Sequence, residues 1–300
     1  MTLVISQLFT GISIGAVLLL IALGLSLTFG QMNVINMAHG EFIMAGAYTV
    51  YVLQQVISSA GASLIVALPV AFAVAGAMGV TLEVLLIRRL YGRPLDTLLV
   101  TWGVSLILQQ LARDIFGAPN VQTHAPGLLT GSIKLISSDT GNDLVLASSR
   151  LFILVLALLA VVALTVVLRT TSLGRRIRAV VQNRDLAAVS GIATGRVDRL
   201  TFFIGSGLAG IAGVALTLVG PIGPTMGTNI IVNAFLVVVV GGIGQLKGTV
   251  IVAFVLGMLQ SMVEYSTTVS VANVLVFLAI VAFLQWRPQG LFTLRTRSLA

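Results

Sequence analysis

The sequence predicts an all-α fold, a polytopic transmembrane helical bundle forming a single permease-type domain. Three observations carry that expectation. Of the 300 residues, 57% are hydrophobic and only 9% are charged, where a soluble domain carries about 25% charged residues. Mean hydropathy is +1.09, and the apolar residues gather into stretches of the length that crosses a bilayer, about 20 residues. That apolar character stops between Thr170 and Arg199, where Arg175, Arg176, Arg178, Arg184, Arg196 and Arg199 are concentrated.

Nine spans are expected, at 8–29, 37–57, 62–87, 95–115, 149–168, 200–220, 228–246, 249–266 and 269–286. Met1 to Gln7 holds no Lys or Arg, so it lacks the basic start of a cleaved signal, and the first apolar stretch is read as a retained membrane helix. Gly11 and Gly15 form a GxxxG pair there, a mark of close helix packing. The second span opens with Asn36-Met37-Ala38-His39-Gly40-Glu41, the most polar patch of the first three spans. Its expected structure is a helix start at the cytoplasmic face, with Asn36 as cap and Glu41 at the positive end of the helix dipole. His39 and Glu41 do not share a helix face and converge only if Gly40 interrupts the helix. The stretches 30–48 and 222–248 are rich in Gly, Asn and Pro. Either is a candidate for a broken or re-entrant helix, which survives at membrane depth only under a cover of protein or in a wet cavity.

Carboxylates inside membranes usually face a cavity. Asn36, His39 and Glu41 are therefore candidate pathway residues, joined by Thr101, Gln109 and Asn233 from other spans. The loop 116–148, punctuated by Gly117, Pro119, Pro126, Gly127, Gly131 and Gly141 and carrying Asp139 and Asp143, is long for a structureless connection. It is expected to cap the pathway or meet an external partner. In the basic segment 169–199, Asn183 or Asp185 can cap a short helix, Ala187 and Ala188 keep its surface flat, and Gly191 can end it.

Charge sets the orientation. Arg88, Arg89, Arg93, Arg169, the six arginines of the basic segment, Lys247, Arg287, Arg295 and Arg297 fall on one side, 14 of the 17 Lys and Arg. Arg113, Lys134 and Arg150, the remaining 3, fall on the other. The positive-inside rule then puts the N-terminus outside, the C-terminus in the cytoplasm and loop 116–148 outside. The isoelectric point near 11.0 reflects that orientation, so no nucleic-acid partner is expected.

Enzymatic readings find no support. Absence of cysteine excludes disulfides and thiolate metal sites, and neither His39 nor His124 has a partner at metal-ligand spacing. Gly205 to Gly210 matches GxGxxG, but inside an apolar helix with no preceding strand it reads as close packing. Gly241 to Thr249 resembles a phosphate loop whose spacing fails, because Gly248 follows Lys247 where Ser or Thr is needed. No catalytic residue, metal site or cofactor is expected in this chain. A stand-alone channel or secondary transporter would call for carboxylate–cation pairs at the midplane, and none is evident.

The stretch Ile35 to Phe42 followed by Gly46-Ala47-Tyr48, the segment 183–192, Gly241 to Gly248 and Arg287 to Phe292 together resemble the permease subunits of branched-chain amino-acid and urea ABC importers. The resemblance covers nearly the whole chain. It implies a bacterial inner-membrane importer with a periplasmic binding protein, a second homologous permease and two ATP-binding subunits that hold ATP and Mg. Such permeases carry a cytoplasmic E-A-A-x-x-x-G loop that grips the ATPase. Asp185 stands near the Glu position, Ala187 and Ala188 match the Ala pair, and Gly191 comes one residue early, with Arg184 expected to pair with an acidic rim on the ATPase. Membrane lipid is a further expected contact. Thr101 to Gln110 and the Gln285-Trp286-Arg287-Pro288 ending look more like the urea branch, and the amide and hydroxyl residues of the spans suit a neutral solute. The expected cargo is urea or a short amide, with a branched-chain amino acid as the alternative.

Overall fold

A computed structural model describes residues 2–136 and 144–292. Asp139, Asp143, Arg295 and Arg297 lie outside the described residues. Nine helices correspond to the nine expected spans. They are α1 (Thr2–Met32), α2 (His39–Val56), α3 (Ala60–Leu85), α4 (Pro94–Phe116), α6 (Ser148–Thr170), α9 (Thr194–Leu216), α10 (Met226–Gly241), α11 (Leu246–Ser266) and α12 (Val269–Trp286). Seven are long and apolar enough to cross a membrane, while α2 has 18 residues with a polar start and α10 has only 16.

Loop 116–148 is not structureless. It contains a short helix α5 (Gly127–Thr130) and an antiparallel hairpin of β1 (Ser132–Ile136) and β2 (Leu144–Ala147). Ahead of them, Val121 exchanges backbone hydrogen bonds of 2.8 Å with Ile222, and His124 is held by Gln54 at the end of α2. The segments 117–124 and 217–225 therefore sit together at one end of the bundle.

The core is built on small residues rather than large ones. A Cβ on Gly46 would lie 2.2 Å from the Gly210 carbonyl oxygen, and one on Gly213 would lie 2.0 Å from the Ile43 carbonyl oxygen. Helices α2 and α9 thus touch backbone to backbone, the contact that drives association in lipid, where apolar burial gives little net force. Gly205, Gly207 and Gly210 each face another helix in the same way, so the GxGxxG pattern serves packing. Gly11 and Gly15 meet Met258 and Phe254 of α11, as the GxxxG pattern predicts.

Two elements of the basic segment complete the fold. Helix α7 (Ser172–Gln182) starts with the Thr171 hydroxyl accepting from the Gly174 N–H at 3.1 Å. It is amphipathic, burying Ile177 and Val180 and exposing Arg175, Arg176 and Arg178. Helix α8 (Arg184–Val189) starts with the Asn183 side chain accepting from the Leu186 N–H at 2.9 Å. It stops before Gly191, whose φ of +82° suits glycine. Asn183, rather than Asp185, is the cap.

Candidate functional site

Helix α2 does not begin at the end of α1. The His39 ring lies beside Gly24, and its Nε2 is 3.4 Å from the Ile21 carbonyl. Ile21 is 11 residues before Met32, the end of α1, or about 16 Å along a helix. The chain over 33–38 therefore climbs back alongside α1 before α2 starts at membrane depth. This corrects the expectation of a start at the membrane face and matches the broken-helix reading of 30–48. Val34, Asn36 and Ala38 are 2%, 1% and 0% exposed, so the deeper part of this non-helical stretch is covered by protein, as lipid requires, while Asn33 at the end of α1 is exposed.

A hydroxyl holds this stretch. The Thr101 Oγ1 of α4 accepts from the Met37 N–H at 3.0 Å and lies 3.3 Å from the Ile35 carbonyl. Asn36 does not cap α2. The residue preceding the helix is Ala38, and neither amide atom of Asn36 has a partner among the described residues. Only the Asn36 backbone carbonyl accepts, from the His39 N–H.

Glu41 is the centre of the site. It is fully buried, and its Oε1 accepts from Ser105 at 2.8 Å and from Gln109 at 3.0 Å, both on α4. Gln109 also reaches Thr228 in the first turn of α10 at 2.9 Å. Glu41 Oε2 has no partner among the described residues. The starts of α2 and α10 abut directly, since a Cβ on Gly40 would lie 2.5 Å from the Gly227 carbonyl oxygen. Two positive helix ends thus meet around one carboxylate, a favourable arrangement. Gly40 sits inside a continuous α2, so His39 turns to α1 while Glu41 turns to α4, and the two do not converge.

Sequence-based reasoning located Glu41, Thr101 and Gln109 but passed over Ser105 and Thr228 as partners. The signal for the first was present. Thr97, Thr101, Ser105 and Gln109 recur every four residues and form one buried polar stripe of α4. Asn233 is not part of this cluster. It is exposed, beside Gln260 and Asn273 of α11 and α12, which contact each other at 3.3 Å.

A second polar network lies where α8 meets the ends of α3 and α9. Arg184 forms a bidentate pair with Asp198, at 2.5 Å and 3.3 Å, and its guanidinium stacks 4.7 Å from the centre of the Tyr91 ring. Tyr91 donates to Glu83 Oε1 at 2.9 Å. The Asp198 hydrogen bond raises the Arg184 pKa against desolvation, and burial, then the Asp198 and Glu83 charges, push the Tyr91 phenol well up. Both groups stay protonated and keep donating. Arg184 is thus engaged within the chain by Asp198 and Tyr91, where the expectation had it pair with an acidic rim on the ATPase. Ala187 is buried against the α7–α9 cluster of Ile177, Val180 and Val197, so the exposed surface of α8 is made of Leu186, Ala188 and Val189, flanked by Asp185.

Residues 7–284 match the family described as branched-chain amino acid transport system / permease component. The high-affinity branched-chain amino acid transport system permease protein LivH of Salmonella typhimurium is 30% identical over 294 residues, 96% of this chain and 94% of that protein. BraD of Pseudomonas aeruginosa, a permease protein of the same description, is 28% identical over 96% of this chain and 95% of its own. A probable branched-chain amino acid transport permease protein LivH of Methanocaldococcus jannaschii is 27% identical over 83% of this chain and 77% of its own. No solved structure matches the chain. None of these relatives is named for urea, so the lean to the urea branch has no specific support, while the permease kind does. With nine helices in the expected order and a match over nearly all its length, the chain belongs to the branched-chain amino acid transport system permease family.

Proposed function

We propose that this chain is one of a pair of permease subunits in an ATP-driven importer of the bacterial inner membrane, and that its cargo is a branched-chain amino acid. The near full-length similarity to LivH carries this reading. The geometry around Glu41 favours an amino acid over a neutral amide. The unpartnered Glu41 Oε2 can take an ammonium, and the adjoining starts of α2 and α10 suit a carboxylate. Glu41, Gln109, Thr101, His39 and Asn36 then belong to the pathway.

Docking to the ATP-binding subunits is assigned to α8 through Leu186, Ala188 and Val189. The N-terminus is outside and the C-terminus cytoplasmic. Supporting this orientation, Gly30 packs on Gly244 and Gly242 on Phe292, which gathers the ends of α1, α10 and α12 at the end holding α7 and α8. The described arginines 88, 89, 93, 169 and 287, and Lys247, belong to that same end. A periplasmic binding protein would meet the opposite end, where the hairpin lies.

The test is uptake of labelled leucine and labelled urea by cells carrying the permease with its partner chains, against cells lacking it. Leucine uptake that depends on this chain is expected. Chain-dependent urea uptake without leucine uptake would restore the urea reading and sink this one.

A further inference from the structure

A large cleft lies apart from the Glu41 site. It has a volume of about 1130 Å³ and runs between α1, α6 and α11 to the turn that joins α6 to α7. That exceeds the roughly 300–1,000 Å³ of ordinary small-molecule pockets. Its walls are the apolar side chains of Leu164 and Leu168 on α6 and Val250 and Ile251 on α11. Its mouth carries Arg169, Arg178 and Lys247, and no carboxylate lines it among the described residues. Arg178 is partly engaged, donating to the Leu168 carbonyl. Gln31 lines the same cleft with only 9% of its surface exposed, and neither its amide nitrogen nor its amide oxygen has a partner among the described residues.

We infer that this cleft is a binding site for an anionic phospholipid, with the acyl chains along α6 and α11 and the phosphate at Arg169, Lys247 and Gln31. Each part of the cleft matches a part of that ligand. Apolar walls at membrane depth need hydrocarbon against them, because water gains nothing there. A cationic mouth with no compensating acid selects a negative headgroup, and basic pockets between helices on the cytoplasmic side are suited to such lipids. The buried Gln31 amide needs a partner, since an unmade hydrogen bond in such a place is costly, and a phosphate or glycerol ester oxygen supplies one. A soluble anion would leave the walls bare. The assignment rests on the proposed orientation, which puts the mouth at the cytoplasmic leaflet, but not on the identity of the cargo.

The experiment is native mass spectrometry of the assembled transporter titrated with phosphatidylglycerol or phosphatidylethanolamine of the same acyl composition. A phosphatidylglycerol adduct that inorganic phosphate does not displace is expected. Arg169→Gln with Lys247→Gln should weaken it by roughly 30-fold. Lys247→Gln alone, which serves if the double variant fails to assemble, should weaken it by about fivefold. Gln31→Leu, which keeps every cation, should weaken it as well. The proposal is overturned if these variants hold phosphatidylglycerol as the parent does, or if phosphatidylethanolamine binds equally. It is also overturned if a cysteine introduced at Val250, in a chain that has none, crosslinks to the second permease. The adduct is read without measuring uptake, so its loss and a failure of the importer reading are separate results.

Discussion

Glu41 receives its two hydrogen bonds through a single oxygen, and both donors come from α4. A carboxylate in that position is held by charge-assisted bonds that a neutral amide does not reproduce. Glu41→Gln should therefore lower leucine uptake at least about tenfold, the equivalent of losing one such bond, while the assembled complex is recovered in normal yield. Unchanged uptake would reduce Glu41 to a packing residue. Polar residues this deep in apolar spans stand out in a sequence, which is why Glu41, Gln109 and Thr101 were legible. The failure at Asn36 has a different origin. Its side chain suits a cap, but the chain reaches α2 three residues later, beside His39, and that choice is made by the packing of 33–38 against α1 and α4. Asn233 looks no different from Gln109 as an amide in an apolar run, and only the rotation of α10 separates them.

Among the elements, α8 was the most legible, because its cap at Asn183 and its stop at Gly191 are local chemistry. Which of its residues face outward was not legible. Ala187 is 4% exposed, while Leu186 and Val189 are 63% and 81% exposed, and that division depends on the α7–α9 cluster beneath. The exposed pair with Ala188 between them is the surface on which the proposed docking would act. Ala188→Trp should insert and fold normally yet lose association with the ATP-binding subunits and substrate-stimulated ATP hydrolysis. Overpacking such a contact costs roughly 1–3 kcal/mol. Both quantities are measured on purified complexes, and normal binding with normal stimulation would make α8 a connector at the lipid surface.

For the molecule as a whole, the order and approximate positions of nine helices were readable from hydropathy, since each span must satisfy its own backbone in lipid, while ends such as those of α1, α9 and α10 differ by up to six residues. The depth at which α2 begins was not, because hydropathy records length and not height. Orientation is open to a direct test. A single cysteine at Ser190 should react only with a reagent that enters the cell, and one at Gly131 with an impermeant reagent outside. The reverse pattern at either site overturns the N-out, C-in arrangement. The clamp of Arg184 on Asp198 and Tyr91 has a mechanical consequence. It makes α8 a handle bolted to α3 and α9, the two most closely joined helices of the bundle. Through Gly210 and Gly213, α9 in turn grips α2 backbone to backbone. Helix α4, by contrast, meets the bundle mainly through α2. If α8 docks the ATP-binding subunits as proposed, a stroke applied there would reach the helix that carries Glu41 before the one that carries Ser105 and Gln109. The hydrogen bonds between those two helices are where the stroke would be felt as a change in the carboxylate's company.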